Sequence, residues 1–298
     1  MGEAAAQLTD RAGIDLSQLS DRELRKLELQ IARKHSGMFP WGIVVWAFLN
    51  LAVWLSLWPL VLLDIIPLWL GFVVASVNLS LVYLPTHDAQ HHIIGRPGTR
   101  WYWLNELVGH ATSWMILTPF EVWRITHMDH HRHTNDPELD VDITSHADNG
   151  WQAIWRSIRQ RQPDSKRQED YAASVQRAGR EDLLGQAALF KLGHLAFLFA
   201  MAWSGYALEV FLLWWLPYHI AITYLVFFLS WAPHSPNMGQ GCYRDTKNWR
   251  SQVGNILSMG MQYHIVHHLH PYIPLMQTGA AYREMKPILE ARGCKLEM

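Results

Sequence analysis

The sequence predicts an all-α integral membrane protein, with four transmembrane helices in two hairpins and a cytoplasmic helical cap that carries histidine boxes. Three observations predict it. Half of the 298 residues are hydrophobic and only 17% are charged, against roughly 25% charged in soluble domains. The apolar residues gather into two pairs of long runs, and lysine and arginine are absent from those pairs except at the beginning of the third run. Of the 17 histidines only His194 and His219 lie within the runs; most of the others cluster at the ends of the runs and beyond. A formal net charge of −1 gives nucleic acid no basic surface to bind.

Taken as one domain, 1–298, the chain divides into five segments. Residues 1–37 carry six basic and six acidic side chains and no apolar stretch of the kind a cleaved leader needs, so they are expected to be retained. Ser20 and Glu23 form a capping-box pattern, after which Leu24, Leu27 and Ile31 share one face of an amphipathic helix expected to lie under the first span. The first hairpin, 38–86, runs from Met38 to Leu63 and, after a turn at Asp64, from Ile65 to Thr86. Each arm exceeds the roughly 20 helical residues that cross a bilayer. The second hairpin, 187–232, runs from Ala187 to Ser204 and from Tyr206 to Ala232, with Gly205 at its turn.

Charge sets the orientation. No Lys or Arg occurs between His35 and Gly95 or between Leu192 and Tyr243, and cytoplasmic segments are the ones that keep these residues. Both termini, segment 87–186 and segment 233–298 are therefore expected in the cytoplasm, at a bacterial inner membrane. Within 87–186, residues 101–121 read as a helix lying in the interface, and 151–182, rich in Arg, Gln, Asp and Glu, as a solvated helical insertion. Cys242 and Cys294 fit no metal or redox spacing and read as free thiols on a reducing side.

The chemistry is written in four histidine groups: HDAQHH with His87, His91 and His92; HMDHHRH with His127, His130, His131 and His133; His234 in WAPHSP; and YHIVHHLHP with His264, His267, His268 and His270. Helical spacing puts His127 on one face with His130 and His131, and His264 with His267 and His268. Pro85 and Pro233 precede the membrane-delivered groups, where a spanning helix would end. Nine imidazoles, His87, His91, His127, His130, His131, His234, His264, His267 and His268, exceed the four ligands of a tetrahedral zinc site and suit two ions. Imidazole accepts zinc, copper, nickel or iron, so donor type leaves the metal open. Each ring needs a partner for its second nitrogen, and Asp88, Asp129, Asp136, Glu138, Asp140 and Asp142 lie near enough in sequence to supply some. His35, His110, His146, His194 and His219 stand alone and read as ordinary packed histidines.

The boxes HDAQHH, HMDHH with RHTNDPELD, and HIVHHLHPYIP resemble the membrane fatty acid desaturases, a family that includes bacterial carotenoid hydroxylases. The likeness covers about Trp41 to Arg292. It implies a cytoplasmic cap over a lipid tunnel and two irons that use dioxygen to attack an unactivated C–H bond. It also implies His87 and His91 as first-box ligands, His127, His130 and His131 as second-box ligands, His264, His267 and His268 as third-box ligands, and His234 as a further one. His92 competes with His91, and His91 is preferred because a spacing of four keeps both rings on one face. Ser230 stands where some relatives hold a water-bearing asparagine. The reaction implied is desaturation of a fatty acyl lipid, with hydroxylation of a carotenoid or fatty acid as the alternative and a zinc-dependent membrane hydrolase or receptor as the distant one. No dinucleotide fingerprint, iron–sulfur cysteines or haem module occurs, which implies a separate ferredoxin, rubredoxin or cytochrome as electron donor.

Overall fold

The longest apolar runs become the longest helices. In the computed structural model, which describes residues 16–235, 239–248 and 260–296, every regular element among the described residues is helical. Helix α1 is Asp21–Ser36 and α2 Trp41–Leu62; α3, Leu68–Leu81, runs on through Val82 into α4, Tyr83–Gln90. Then come α5, Tyr102–Met115; α6, Phe120–His133; α7, Gly150–Arg159; and α8, Lys166–Arg177. The last long stretch holds α9, Asp182–Met201; α10, Ala207–Val210; α11, Leu216–Leu225; and α12, Ala232–His234, joined by π-helical pieces at Ala202–Tyr206, Phe211–Trp215 and Val226–Trp231. Helices α13, His264–Leu269, and α14, Leu275–Ala291, close the chain.

Among the described residues three helical stretches are long and apolar enough to cross a membrane: Trp41–Leu62, Leu68–Gln90 and Asp182–His234. The first two are joined by a tight turn in which Asp64 takes a left-handed φ of 56°. The third bends sharply at Gly205, φ 92°, a backbone state that costs glycine nothing. Beyond that bend the chain doubles back, since the rings of His194 and Trp214, twenty positions apart, meet with centroids 4.6 Å apart. Apolar side chains such as Leu49, Trp69, Val73, Phe199 and Trp203 point outward from all these stretches.

Polar contacts fix the packing where water is excluded. Asn50 donates to the Asn78 carbonyl at 2.9 Å, and the Trp54 indole to the Leu213 carbonyl at 3.1 Å. Helix α5 is tied to α4 by Asn105, which donates to the Ala89 carbonyl, and by a Thr86–Thr112 hydroxyl pair at 2.7 Å. Those polar residues, which interrupt the apolar run 101–121, are the side of the helix that faces the first histidine box. The run itself is not one helix: it breaks at Ile116–Pro119, and Phe120 opens α6 with its ring against Gly109, where a Cβ would stand 2.0 Å from the ring carbon Cζ.

Two further expectations shift. The prolines do not end the spans. Each stretch runs on through its proline and stops soon after, Leu68–Gln90 five residues beyond Pro85 and Asp182–His234 one residue beyond Pro233. Helix α1 has its capping box, but its apolar face, Leu24 and Ile31, packs on Tyr282, Met285 and Ile288 of α14 and on Ile265 of α13 rather than under the first span. The reason is complementarity, because α14 offers an apolar stripe at three- and four-residue spacing and α1 the matching one.

Candidate metal centre

Both long stretches that carry histidines, Leu68–Gln90 and Asp182–His234, end at the same side of the bundle, so His87 and His234 arrive together. Helices α6 and α13 bring the second and third boxes to the same place. The nine imidazoles sort into two groups. His87, His91, His127, His131 and His267 have ligand atoms all within 4.8 Å of one another, as do His130, His234 and His268. His264 joins the second group, its Nε2 3.0 Å from that of His234.

The grouping cuts across the boxes. Histidines four apart stay together (87 with 91, 127 with 131, 264 with 268), while the one three positions along, His130 from 127 or His267 from 264, goes to the other group. A helix explains this: four residues advance about 40° and three fall about 60° short, so one box presents about 100° of arc to two centres. A shared face for His127 and His130, expected from spacing, is thus divided between two groups. His92 stands outside both. It takes a left-handed φ of 55° and turns toward Asn105 and Tyr102.

The donor set fits metal ions. His267 Nε2 lies 3.0 Å from His87 Nε2 and 2.9 Å from His131 Nε2, yet a ring nitrogen carries either one proton or one lone pair and can serve only one such neighbour well. His91 and His127 repeat the close approach at 2.9 Å. Two nitrogens each about 2.1 Å from one cation are about 3.0 Å apart at a right angle and about 3.4 Å at the tetrahedral angle. The spacings match the former. His268 Nε2 is buried without a partner, and a cation between it, His130 and His234 would supply one. Burial, then the repulsion of neighbouring rings, holds the pKa values of His91, His127, His131, His264, His267 and His268 well below the ordinary histidine value. They are therefore neutral, the form that binds metal.

Second nitrogens are held unevenly. His130 Nδ1 lies 2.8 Å from Asp140, whose carboxylate also accepts the backbone N–H groups of Asn135 and Asp142. Against the cost of burial, that pair raises His130 and lowers Asp140 from their ordinary values. His234 Nδ1 donates to the Asp245 carbonyl at 3.2 Å. The other acidic residues divide among different tasks. Asp129 reaches His133 and Arg177, Asp136 caps the turn at Glu138 and Leu139, Asp142 pairs with Arg167, and Asp88 accepts the Leu275 N–H. Glu138 is exposed. His270 belongs to neither group and bonds the fully buried Glu28 at 2.8 Å. The isolated His35 contacts Glu284, and Ser230 meets Ser145 Oγ at 2.7 Å.

A cavity of about 130 Å³ opens beside the histidines, lined by His127, His130 and His264 on one side and by Tyr83, Tyr218, Ile222, Leu225 and Leu229 on another. Its polar wall comes from Arg161 and Arg167, in the segment expected to be a solvated insertion. Nothing in that segment's composition distinguishes these two arginines from its exposed ones; the packing of α8 on α6 turns Arg167 inward, and contacts with α11 hold Arg161.

Fold and site together define a class of protein, a helical bundle with membrane-length apolar stretches that collects nine imidazoles in two groups at one end. Within that class the chain belongs to the fatty acid desaturase family, whose sequence model matches residues 63–296. Similar proteins include the sn-1 oleoyl-lipid 12-desaturase of Anabaena variabilis, 33% identical over 32% of this chain and 25% of the relative. The dihydrorhizobitoxine desaturase of Bradyrhizobium elkanii is 28% identical over 63% of this chain and 59% of its own length. The sn-1 acyl-lipid omega-3 desaturase (ferredoxin) of Nostoc sp. is 34% identical over 20% of this chain and 15% of its own. The matches thus span between about one seventh and three fifths of these curated relatives.

Proposed function

We propose that this chain is a membrane-bound oxidoreductase that desaturates a fatty acyl chain with dioxygen and external electrons at a pair of irons. The observation that carries the reading is the pair of closely packed all-imidazole groups, five rings and four, side by side and next to one cavity. His87, His91, His127, His131 and His267 would hold one iron and His130, His234, His264 and His268 the other. Bound there, iron would supply dioxygen activation and redox cycling, which zinc cannot. The chain's own part is to keep the rings aimed, to seat a methylene beside them along Ile222, Leu225 and Leu229, and to keep water out. Family membership supports the desaturase reading, as do relatives named for acyl-lipid substrates and, in one case, for ferredoxin; a separate protein donor is proposed on that basis.

The membrane arrangement belongs to the same proposal. Fifty-three residues of straight helix would run about 80 Å, far beyond a hydrocarbon core of about 30 Å. Reversed at Gly205, Asp182–His234 makes two crossings, giving four in all. The lysine and arginine pattern puts α1, the histidine layer and α14 on the cytoplasmic side. The test is metal analysis of purified protein together with lipid mass spectrometry after expression, with and without air. Two irons per chain and a new, air-dependent double bond are expected; one zinc, or product without dioxygen, would refute the proposal.

A further inference from the structure

Arg161 follows directly on α7 and faces the cavity that His127, His130 and His264 also line. Its Nη1 donates to the His219 carbonyl at 3.0 Å and to Thr223 Oγ1 at 2.9 Å, both on α11. No carboxylate among the described residues lies within ion-pairing distance of it. The other guanidinium of the cavity, Arg167, is matched by Asp142 at 2.6 Å. The cavity's two guanidinium groups and its one paired carboxylate therefore leave one positive charge on Arg161 without a counter-charge. Burial and the neighbouring Arg167 pull the Arg161 pKa down, as expected of a cation short of counter-charge. A half-buried guanidinium in that state is costly, and an anion in the cavity would relieve the cost.

We infer that the substrate carries an anionic group, a carboxylate or a phosphate, which docks on Arg161 while its hydrocarbon part lies along Ile222, Leu225 and Leu229 toward the histidines. This rests on the desaturase reading and adds to it a substrate class, an acid-headed chain. The two Nη1 bonds hold the guanidinium against α11, and Nη2 and Nε remain for the fork-like pairing that arginine makes with oxyanions.

The test measures binding without turnover. The full chain in phosphatidylcholine nanodiscs is loaded with tritiated palmitate, then challenged with unlabelled palmitate, methyl palmitate or dipalmitoyl phosphatidic acid. An acid should compete at about tenfold to a hundredfold lower concentration than the ester, the scale of a charged hydrogen bond. Arg161→Gln should erase that ratio with iron content unchanged, Arg161→Lys should keep most of it, and Thr223→Val should leave it intact. Equal competition by ester and acid in the unaltered protein overturns the proposal. So does an Arg161→Gln variant that binds both less well by the same factor, or a Thr223→Val variant that behaves like it, since each makes Arg161 a clamp for α11. Stronger competition by palmitate assigns a free carboxylate, and by phosphatidic acid a lipid phosphate. Charge preference without any double bond in the same nanodiscs, once donor and air are supplied, would sink the desaturase reading alone. A double bond without charge preference would sink the docking alone.

Discussion

The two imidazole groups are built by different means. In the five-ring group, His87 Nδ1 and His267 Nδ1 have no hydrogen-bond partner, and the nearest acid, Asp88, stands 3.7 Å from His87, too far to bond. Packing alone aims those rings. In the four-ring group His130 leans on Asp140 and His234 on the Asp245 carbonyl, and His268 Nδ1 lies 3.4 Å from the Thr134 hydroxyl. One group is preorganised by number and sterics, the other by hydrogen bonds behind three of its four rings, His264 Nδ1 alone among them having no partner. A ligand shared among five rings depends on each ring's position, whereas one held by four depends on what stands behind the rings.

Removing a ring is the largest test of that contrast. His267→Ala takes out the nitrogen that lies within 3.0 Å of both His87 and His131. It is expected to lower iron from about two to about one per chain and product by more than about a hundredfold, beyond the range for a lost support. His264→Ala should do the same to the other group. Metal analysis of both variants decides. Two irons retained in either would show that its ring is not a ligand.

Removing a support comes next. Asp140→Asn should weaken metal at the four-ring group by about tenfold to a hundredfold, because the amide can no longer hold the His130 N–H as a carboxylate does. Asp88→Asn should move metal affinity far less, since Asp88 serves the Leu275 N–H instead. Chelator titration compares them directly. Equal losses would erase the proposed difference between the groups.

How much of this was legible in the sequence follows the same division. The rings were, because imidazoles four apart announce themselves by spacing alone, and His91 over His92 followed from helical phase. The three membrane-length helical stretches were legible from apolar length, and the bend at Gly205 from its place between two runs. The sorting of each box between two groups was hidden, since it needs the relative positions of α6 and α13. Asp140 could be named only among six acidic candidates, because its selection depends on the left-handed Asn135, φ 62°, that folds the loop back on α6. Arg161 and Glu28 were invisible. A charged residue in a polar helix looks solvated until a neighbouring element covers it.

Glu28 supplies a smaller, structural test. It is fully buried and gathers Arg25, the Tyr243 hydroxyl and His270 around its carboxylate, tying α1 to the third box. Glu28→Ala leaves the buried His270 without its partner, while Arg25 and Tyr243 are partly exposed, and should cost about 1–3 kcal/mol, read as a fall in thermal midpoint. The sign with pH is fixed by its lowered pKa, which His270 and Tyr243 bring about against burial. The stabilisation is full above the ordinary value of 4.5 and is lost as pH falls through the lowered folded value. A variant as stable as the parent at pH 7 would mean that packing of Leu24 and Ile31 holds α1 unaided.

The smallest effect reports on the same network from outside. Cys294 is half-buried, and burial, then the Glu28 charge, pushes its thiol up to about 12, while the exposed Cys242 is raised less far. Only the thiolate reacts, so at pH 7.5 about one Cys294 in 10⁴ to 10⁵ is competent, and its alkylation should rise about tenfold per pH unit. Cys242 should label first. In Glu28→Ala both causes weaken together, because α1 loosens and the negative charge is gone, so Cys294 should label faster, and Cys242, on which the Glu28 charge is a lesser cause, should change less. Mass-resolved maleimide labelling separates the two sites. If Cys294 keeps its slow rate in that variant, the cap around the third box is held by its apolar contacts, and the dependence on hydrogen bonds stops at the four-ring group.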